Sequence, residues 1–454
     1  MEMWWTLGKR NRNSGVLHSV ELFPLPVQCK KRLKMWEEAE NSVILLCLTA
    51  SSGVPLYCRS RGGSTKQQLP FSVIGSLNGV HMFGSNLDVQ LIAARTENTH
   101  VMWKVFHNSV TLIVLSSEED ASDFSLGRLL ENVFNAMVLI LGLEELTNVR
   151  NIERLKKDLK SCYKLIDSFL ERGKSFADLT QCVECIMMPS RAIMQECLEA
   201  FASAAESRFG CLLVGSHILC ATEQWWQLAA PEAMLLVWLV RSLSPHSSRD
   251  LPVYLPQGSP TVPHRFLTFQ LVPDMQIVLL CGPNPSLQCL TDELVNKFWQ
   301  PLLDLLKATA RGPARCLPPA IVLSPGILGL LLINQDQRKS LFTLHPHGAS
   351  TEGSEMSTKN RLCALRSFYA LVTSLYFPCE KQEEYTVPLQ EDFHAGFSHC
   401  PQHCYMVYTT HKAYVIHERQ HQLFLIVKSD VPTFALRSLA TCTLQALTAE
   451  DSAF

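Results

Sequence analysis

Apolar and polar positions along this chain alternate in blocks short enough for the strands and helices of small sheets, and residues 42–86 set the pattern. Two apolar runs, Val43-Ile-Leu-Leu-Cys-Leu48 and Val54-Pro-Leu-Tyr-Cys58, flank Ser51-Ser52-Gly53, which predicts a hairpin. A polar loop over 59–68 leads to a helix opening at Leu69-Pro70, where proline suits a first turn. Strands are predicted at 89–93, 101–106 and 110–115, separated by Asn98-Thr99 and His107-Asn108-Ser109. Ser116-Ser117-Glu118-Glu119 ends the last strand and opens acidic, as a helix start should. Helices are predicted over 124–141 and 151–170, the second carrying Ile152, Leu155, Leu159, Tyr163, Ile166 and Phe169 on one stripe.

The same order recurs twice, which makes the chain a tandem of three similar units. The middle unit has strands at 210–214 and 217–221 around Gly215-Ser216, then a helix over 231–243. Strands at 252–255, 265–271 and 276–281 and a helix over 286–310 complete it. The last unit has strands at 327–333 and 340–344 and a helix over 358–377. Strands at 405–408, 412–416 and 423–427 and a helix over 433–447 complete that one. The expected organisation is a mostly disordered extension over 1–40, units over 41–172, 206–311 and 327–454, and linkers over 173–205 and 312–326, the second rich in proline.

The helix of the opening hairpin unit is unusual: from 69 to 87 it has no Lys, Arg, Asp or Glu. At about 100° per residue, Val73, Ile74, Leu77 and Val80 share the face expected on the sheet. The other face carries Phe71, Ser72, Gly75, Ser76, Asn78, Gly79, Met82 and Phe83. Solvated helix faces carry charge, and a glycine in a helix interior costs roughly 1 kcal/mol against alanine. Small residues edged by Phe and Met fit close approach by another surface. A different protein or another part of this chain could occupy it. Phe71, Gly75, Asn78, Gly79, Met82 and Phe83 form the candidate partner interface.

Composition narrows the classes. A length of 454 residues implies roughly two to four domains. With 47% hydrophobic and 18% charged residues, the domains are expected to be well buried. A net charge of −2 argues against nucleic acid as a partner. The 17 cysteines, an odd number placed mostly in apolar runs (Cys47, Cys58, Cys211, Cys220, Cys281), fit reduced buried thiols better than a disulfide framework. Residues 1–40 lack the apolar run of a secretory signal, and the run at 136–141 is far shorter than a membrane span. The expectation is a soluble intracellular protein.

Catalytic patterns are sparse. Gly62-Gly63-Ser64-Thr65-Lys66 lacks phosphate-loop spacing, and neither G-x-S-x-G nor H-E-x-x-H occurs. His394, His399, Cys400, His403 and Cys404, with Cys379 upstream, are zinc-type residues without finger spacing, so a His-rich loop is favoured over a metal site. Cys182-Val-Glu-Cys185 has no second pair or redox context and reads as two buried thiols. No catalytic residue, cofactor or metal is assigned. Arg150, Arg154, Lys156, Lys157 and Lys160 form a basic helix face. It is either simply solvated or drawn to anionic lipid at about 1 kcal/mol per residue. The run Lys30-Lys31-Arg32-Leu33-Lys34 beside Met35-Trp36 poses the same choice.

The fold class is α+β: three tandem domains, each a small antiparallel sheet flanked by helices with a strand-strand-helix opening. This resembles three longin domains in a row, as in the tri-longin family. The strings Leu69-Pro-Phe-Ser-Val-Ile-Gly-Ser-Leu-Asn-Gly-Val-His-Met-Phe-Gly84, Gly142-Leu-Glu-Glu-Leu-Thr-Asn148, Glu153-Arg-Leu-Lys-Lys-Asp158, Gly258-Ser-Pro-Thr-Val-Pro-His-Arg265 and Arg437-Ser-Leu-Ala-Thr441 are similar to the Fuzzy-type branch of that family, over residues 41–454. The resemblance implies a non-catalytic subunit of a ciliogenesis and planar cell polarity complex. Its implied partners are an Inturned-like tri-longin protein, a WD-repeat Wdpcp-like protein, a Rab-like small GTPase and phosphoinositide membrane at the ciliary base. It also implies that the first helices of the paired longin domains receive the GTPase, which points to the uncharged helix. The alternative is a guanine-nucleotide exchange factor acting as a heterodimer.

Overall fold

The computed structural model describes residues 4–9, 42–62, 69–87, 89–96, 98–118, 121–171, 175–244, 246–310, 316–318, 321–344, 346, 356–377 and 401–449. It contains three sheets with helices packed on them, antiparallel but for one parallel edge pair in the third, the α+β architecture expected from the sequence. The first sheet lies in one compact unit, and the other two share a second.

In the first sheet the order is β1-β4-β5-β6-β2-β3. These strands are β1 Trp4–Lys9, β2 Val43–Thr49, β3 Pro55–Arg61, β4 Val89–Arg95, β5 His100–Phe106 and β6 Val110–Ser116. The central strands β2 and β6 are buried along their whole length because helices cover both faces. Helix α1, Phe71–Asn86, packs Val73 and Ile74 against Ile44, Leu46, Leu48, Trp103 and Ile113. Helix α2, Asp123–Leu141, lies in the core. It is long and apolar enough by length and composition to cross a membrane, but most of it is buried within the fold. The short run at 136–141 had therefore understated its apolar length.

The amphipathic segment after α2 is not one helix. It divides into α3 Ile152–Asp158, a 3-10 turn Leu159–Cys162, and α4 Tyr163–Leu170. Its stripe still reaches the core, because Leu155, Leu159, Ile166 and Phe169 are buried. Arg59 of β3 donates from Nε to Asp167 of α4 at 2.8 Å and lies 4.7 Å from the Tyr163 ring.

The second sheet has the order β10-β11-β12-β8-β9 and the third β15-β16-β17-β13-β14-β7. Here β7 is Val183–Glu184, β8 Phe209–Val214, β9 His217–Ala221, β10 Ser248–Leu255, β11 Ser259–Val272 and β12 Met275–Cys281. The third sheet is built from β13 Ile327–Asn334, β14 Lys339–Thr343, β15 His403–Val407, β16 His411–Glu418 and β17 His421–Lys428.

Several stretches differ from expectation. Part of the extension over 1–40 forms β1, antiparallel to β4; the rest of it lies outside the described residues. The stretch 173–205, expected as a linker, carries β7 and helix α5, Arg191–Ala204, whose Met194, Leu198 and Phe201 are fully buried on the second sheet. The helix expected over 286–310 is interrupted by a π turn at Leu290–Val295 and a 3-10 turn at Gln300–Leu302, where Pro301 has no N–H for the ladder. From the second expected linker, Leu317 and Leu323 are buried in the third core.

β7 runs beside two sheets. The N–H groups of Val183 and Cys185 donate to Arg338 (3.0 Å) and Ser340 (2.8 Å) of the third domain, while that of Ile186 donates to Ile218 of β9 at 3.0 Å. Just upstream, the Glu184 carboxylate, buried, accepts from the Ser175 hydroxyl at 2.9 Å and the backbone N–H of Phe176 at 2.5 Å. Arg366, on helix Thr358–Leu375, reaches the same place. It holds Asp178 with two hydrogen bonds (2.9 and 2.6 Å) and donates to the Ser175 carbonyl at 2.6 Å.

Candidate functional site

The site begins with what holds α1 in place. Proline precedes it without a side-chain cap, and neither end carries complementary charge. Two interior glycines also weaken it, so its stability comes from packing. Val73 and Ile74 are buried, Leu77 and Val80 half-buried, and His81 buried beside them, its pKa pushed down by that burial. The Trp103 indole of β5 donates to the Leu77 carbonyl at 3.3 Å and ties the middle of the helix to the sheet.

The opposite face is open. Phe71 is 76% exposed, Phe83 62% and Met82 40%, and Gly75 and Gly79 are exposed. A Cβ at either glycine would meet nothing within 4 Å. Phe71 and Phe83 are separated by three helical repeats of four, about 18 Å along the axis. Between them lies bare backbone, a shallow notch walled by two aromatic rings. Among the described residues nothing fills it.

Asn78 differs from its five companions. It is half-buried and leans over the β2–β3 turn, where a Cβ on Gly53 would lie 2.0 Å from its Nδ2. Gly53 also has φ +65°, a conformation that costs L-residues roughly 1–2 kcal/mol. Gly53→Ala is thus expected to lower stability by at least about 1 kcal/mol and to push Asn78 off the hairpin tip, as thermal unfolding and Asn78 side-chain amide shifts would record. Helical projection puts Asn78 on the outward face; it is half-buried there because a projection takes no account of a neighbouring turn. The projection also missed Leu87, 60% exposed just past the helix, although the uncharged run extends to that residue.

The second candidate surface is partly self-neutralised. Arg154 lies 3.9 Å from Glu145 and 3.5 Å from Asp158, and Lys156 binds Glu153 at 2.8 Å. Arg150, Lys157 and Lys160 are exposed, with no ion pair among the described residues. Arg150 and Arg154 line a cavity of about 280 Å³ together with Glu144, Glu145 and Asn148.

Of the His/Cys cluster, His403 Nδ1 is bonded to the Tyr414 hydroxyl at 2.9 Å and Cys404 is half-buried on β15; His394, His399, Cys400 and Cys379 lie outside the described residues. No group of three His, Cys, Asp or Glu side chains converges as a metal site among the described residues. Cys182 and Cys185 are buried, and burial pushes the Cys185 thiol up to about 12, which makes it a poor nucleophile.

Comparison with known proteins places this geometry in context. Residues 43–169, 205–300 and 326–451 match the first, second and third longin domains of FUZ, MON1 and HPS1. The chain is 55% identical to the protein fuzzy homolog of Xenopus tropicalis over 413 residues, which is 90% of this chain and 98% of that protein. It is 52% identical to the Homo sapiens protein over 423 residues (91% and 99%) and 51% identical to that of Mus musculus over 425 residues (91% and 99%).

Proposed function

The chain belongs to the fuzzy family of proteins with three longin domains, and from that premise we propose that it is a non-catalytic subunit of a ciliogenesis and planar cell polarity complex. In this reading it pairs with an Inturned-like tri-longin protein, joins a WD-repeat Wdpcp-like protein, and presents a Rab-like small GTPase to phosphoinositide membrane at the ciliary base. The observation that carries the reading is the uncharged, uncovered face of α1. Phe71, Met82 and Phe83 are exposed together on a helix without charge, beside two glycines that admit another surface closely.

Lipid contact is assigned to Arg150, Lys157 and Lys160, the part of the basic face without carboxylate partners. Lys157→Glu/Lys160→Glu is expected to weaken sedimentation with phosphoinositide vesicles severalfold per charge, by attraction of about 1 kcal/mol for each basic residue. Unchanged sedimentation would remove this surface from the proposal.

The test of the whole reading is co-expression of the full chain with an Inturned-like partner, then measurement of GTPase binding and nucleotide release. A stoichiometric complex that binds the GTPase without speeding release supports the adaptor. Acceleration of release would instead make the pair an exchange factor, since exchange requires preferential binding of the nucleotide-free state. Failure of the two chains to associate would overturn both.

A further inference from the structure

A sheet ends in edge strands, and an unpaired edge is a template for another chain. Among the strands whose side chains are described, β3, β10 and β15 stand at open edges of their sheets. β3 starts with Pro55 and carries Arg59 and Arg61; β10 carries Arg249, Asp250 and Pro252. Proline and charge are the usual protection of an edge. β15 has neither. It reads His-Cys-Tyr-Met-Val and pairs with β16 without a register shift.

The hydrogen bonds show which backbone groups of β15 have no partner among the described residues. The His417 N–H donates to the Gln402 carbonyl at 2.8 Å and the Tyr408 N–H to the His411 carbonyl at 2.9 Å, so the even-numbered residues face β16. The N–H and C=O groups of His403, Tyr405 and Val407 therefore point away from the sheet. The Tyr405 and Val407 side chains share one face and are 57% and 58% exposed. Lys412 stands opposite Val407, and exposed Arg437, at the start of the helix Leu436–Thr448, lies within electrostatic reach of His403 and Tyr414.

We propose that β15 accepts an extended segment of another protein as an added strand, with apolar residues alternating over Tyr405 and Val407 and carboxylates toward Lys412 and Arg437. Main-chain pairing supplies the affinity, and the alternate side chains and charges the selectivity. A bilayer is the poorer occupant, because lipid offers the outward backbone groups no partners.

Hydrogen exchange on the full-length protein comes first. The amides of 403, 405 and 407 are expected to exchange freely; if they are already protected, this chain covers its own edge and the proposal fails. A displayed library of random peptides panned on the same protein then supplies the probe. Enriched peptides are expected to alternate β-branched or aromatic residues with an acidic end, and to slow exchange at those three amides. Val407→Pro removes one outward N–H, leaves the β15–β16 ladder intact, and is expected to weaken these peptides about tenfold. Met406→Pro, which breaks the inner ladder, shows what simple unfolding of β15 looks like. The proposal is overturned if no peptide is enriched, if enriched peptides are indifferent to Val407→Pro, or if anionic vesicles protect the same amides as well.

Discussion

Replacing Gly75 and Gly79 together with arginine is expected to weaken binding of the Inturned-like partner or the GTPase by about 100-fold or more, roughly 2.7 kcal/mol, while the protein remains folded. Both positions have free space where a Cβ would go, so the new side chains displace nothing in the chain. Leaving helix-interior glycine is favourable by roughly 0.5–1 kcal/mol at each site, so the variant should melt no lower than the parent. At a closed interface the same guanidinium groups would be buried without carboxylate partners, which is strongly unfavourable. Binding lost together with unchanged or raised stability cannot be blamed on misfolding. Titration of the partner against both forms, with circular dichroism melts alongside, gives both numbers. Equal affinity would show that the notch is not the docking surface.

The second large effect lies in the other unit. Arg366→Ala removes a buried guanidinium that holds the Asp178 carboxylate and the Ser175 carbonyl and lies 5.7 Å from the Phe176 ring. The Asp178 carboxylate, largely out of water, would lose both charge-assisted hydrogen bonds to that guanidinium, a loss of about 3 kcal/mol. Urea unfolding should show the midpoint falling accordingly. Arg366→Met combined with Asp178→Leu should recover much of the loss, because an apolar pair of similar volume has no buried charge to compensate. If the single variant costs below about 1 kcal/mol, water reaches Asp178 and the clamp is weak.

How much of this could be read from the sequence depended on the range of the forces involved. Strands β2, β6, β13 and β17 announce themselves as apolar runs, since burial on both faces demands apolar side chains throughout. The absence of charge on α1 was equally legible, and its exposed residues lie where a helical projection puts them, Asn78 excepted. Less legible was anything decided by a distant partner. β7 has two residues, too few for any period, and exists because β14 lies beside it. Helix α5 did carry a helical spacing in Met194, Leu198 and Phe201, but the polar residues between them and the Cys-x-x-Cys upstream made the stretch look like a connector. The break within 152–170 left the apolar stripe intact and so left no mark in the pattern.

The segment around β7 has a consequence for how the later part of the chain can be divided. The family matches begin at residues 205 and 326, yet α5 and β7 lie upstream of both. A fragment cut at either boundary loses a helix whose apolar face fills one core, or a strand that closes another sheet. The second and third longin domains are therefore separate in sequence but joint in folding: they share one piece of chain and are expected to melt in a single transition. A protease cut near residue 186 would damage both at once.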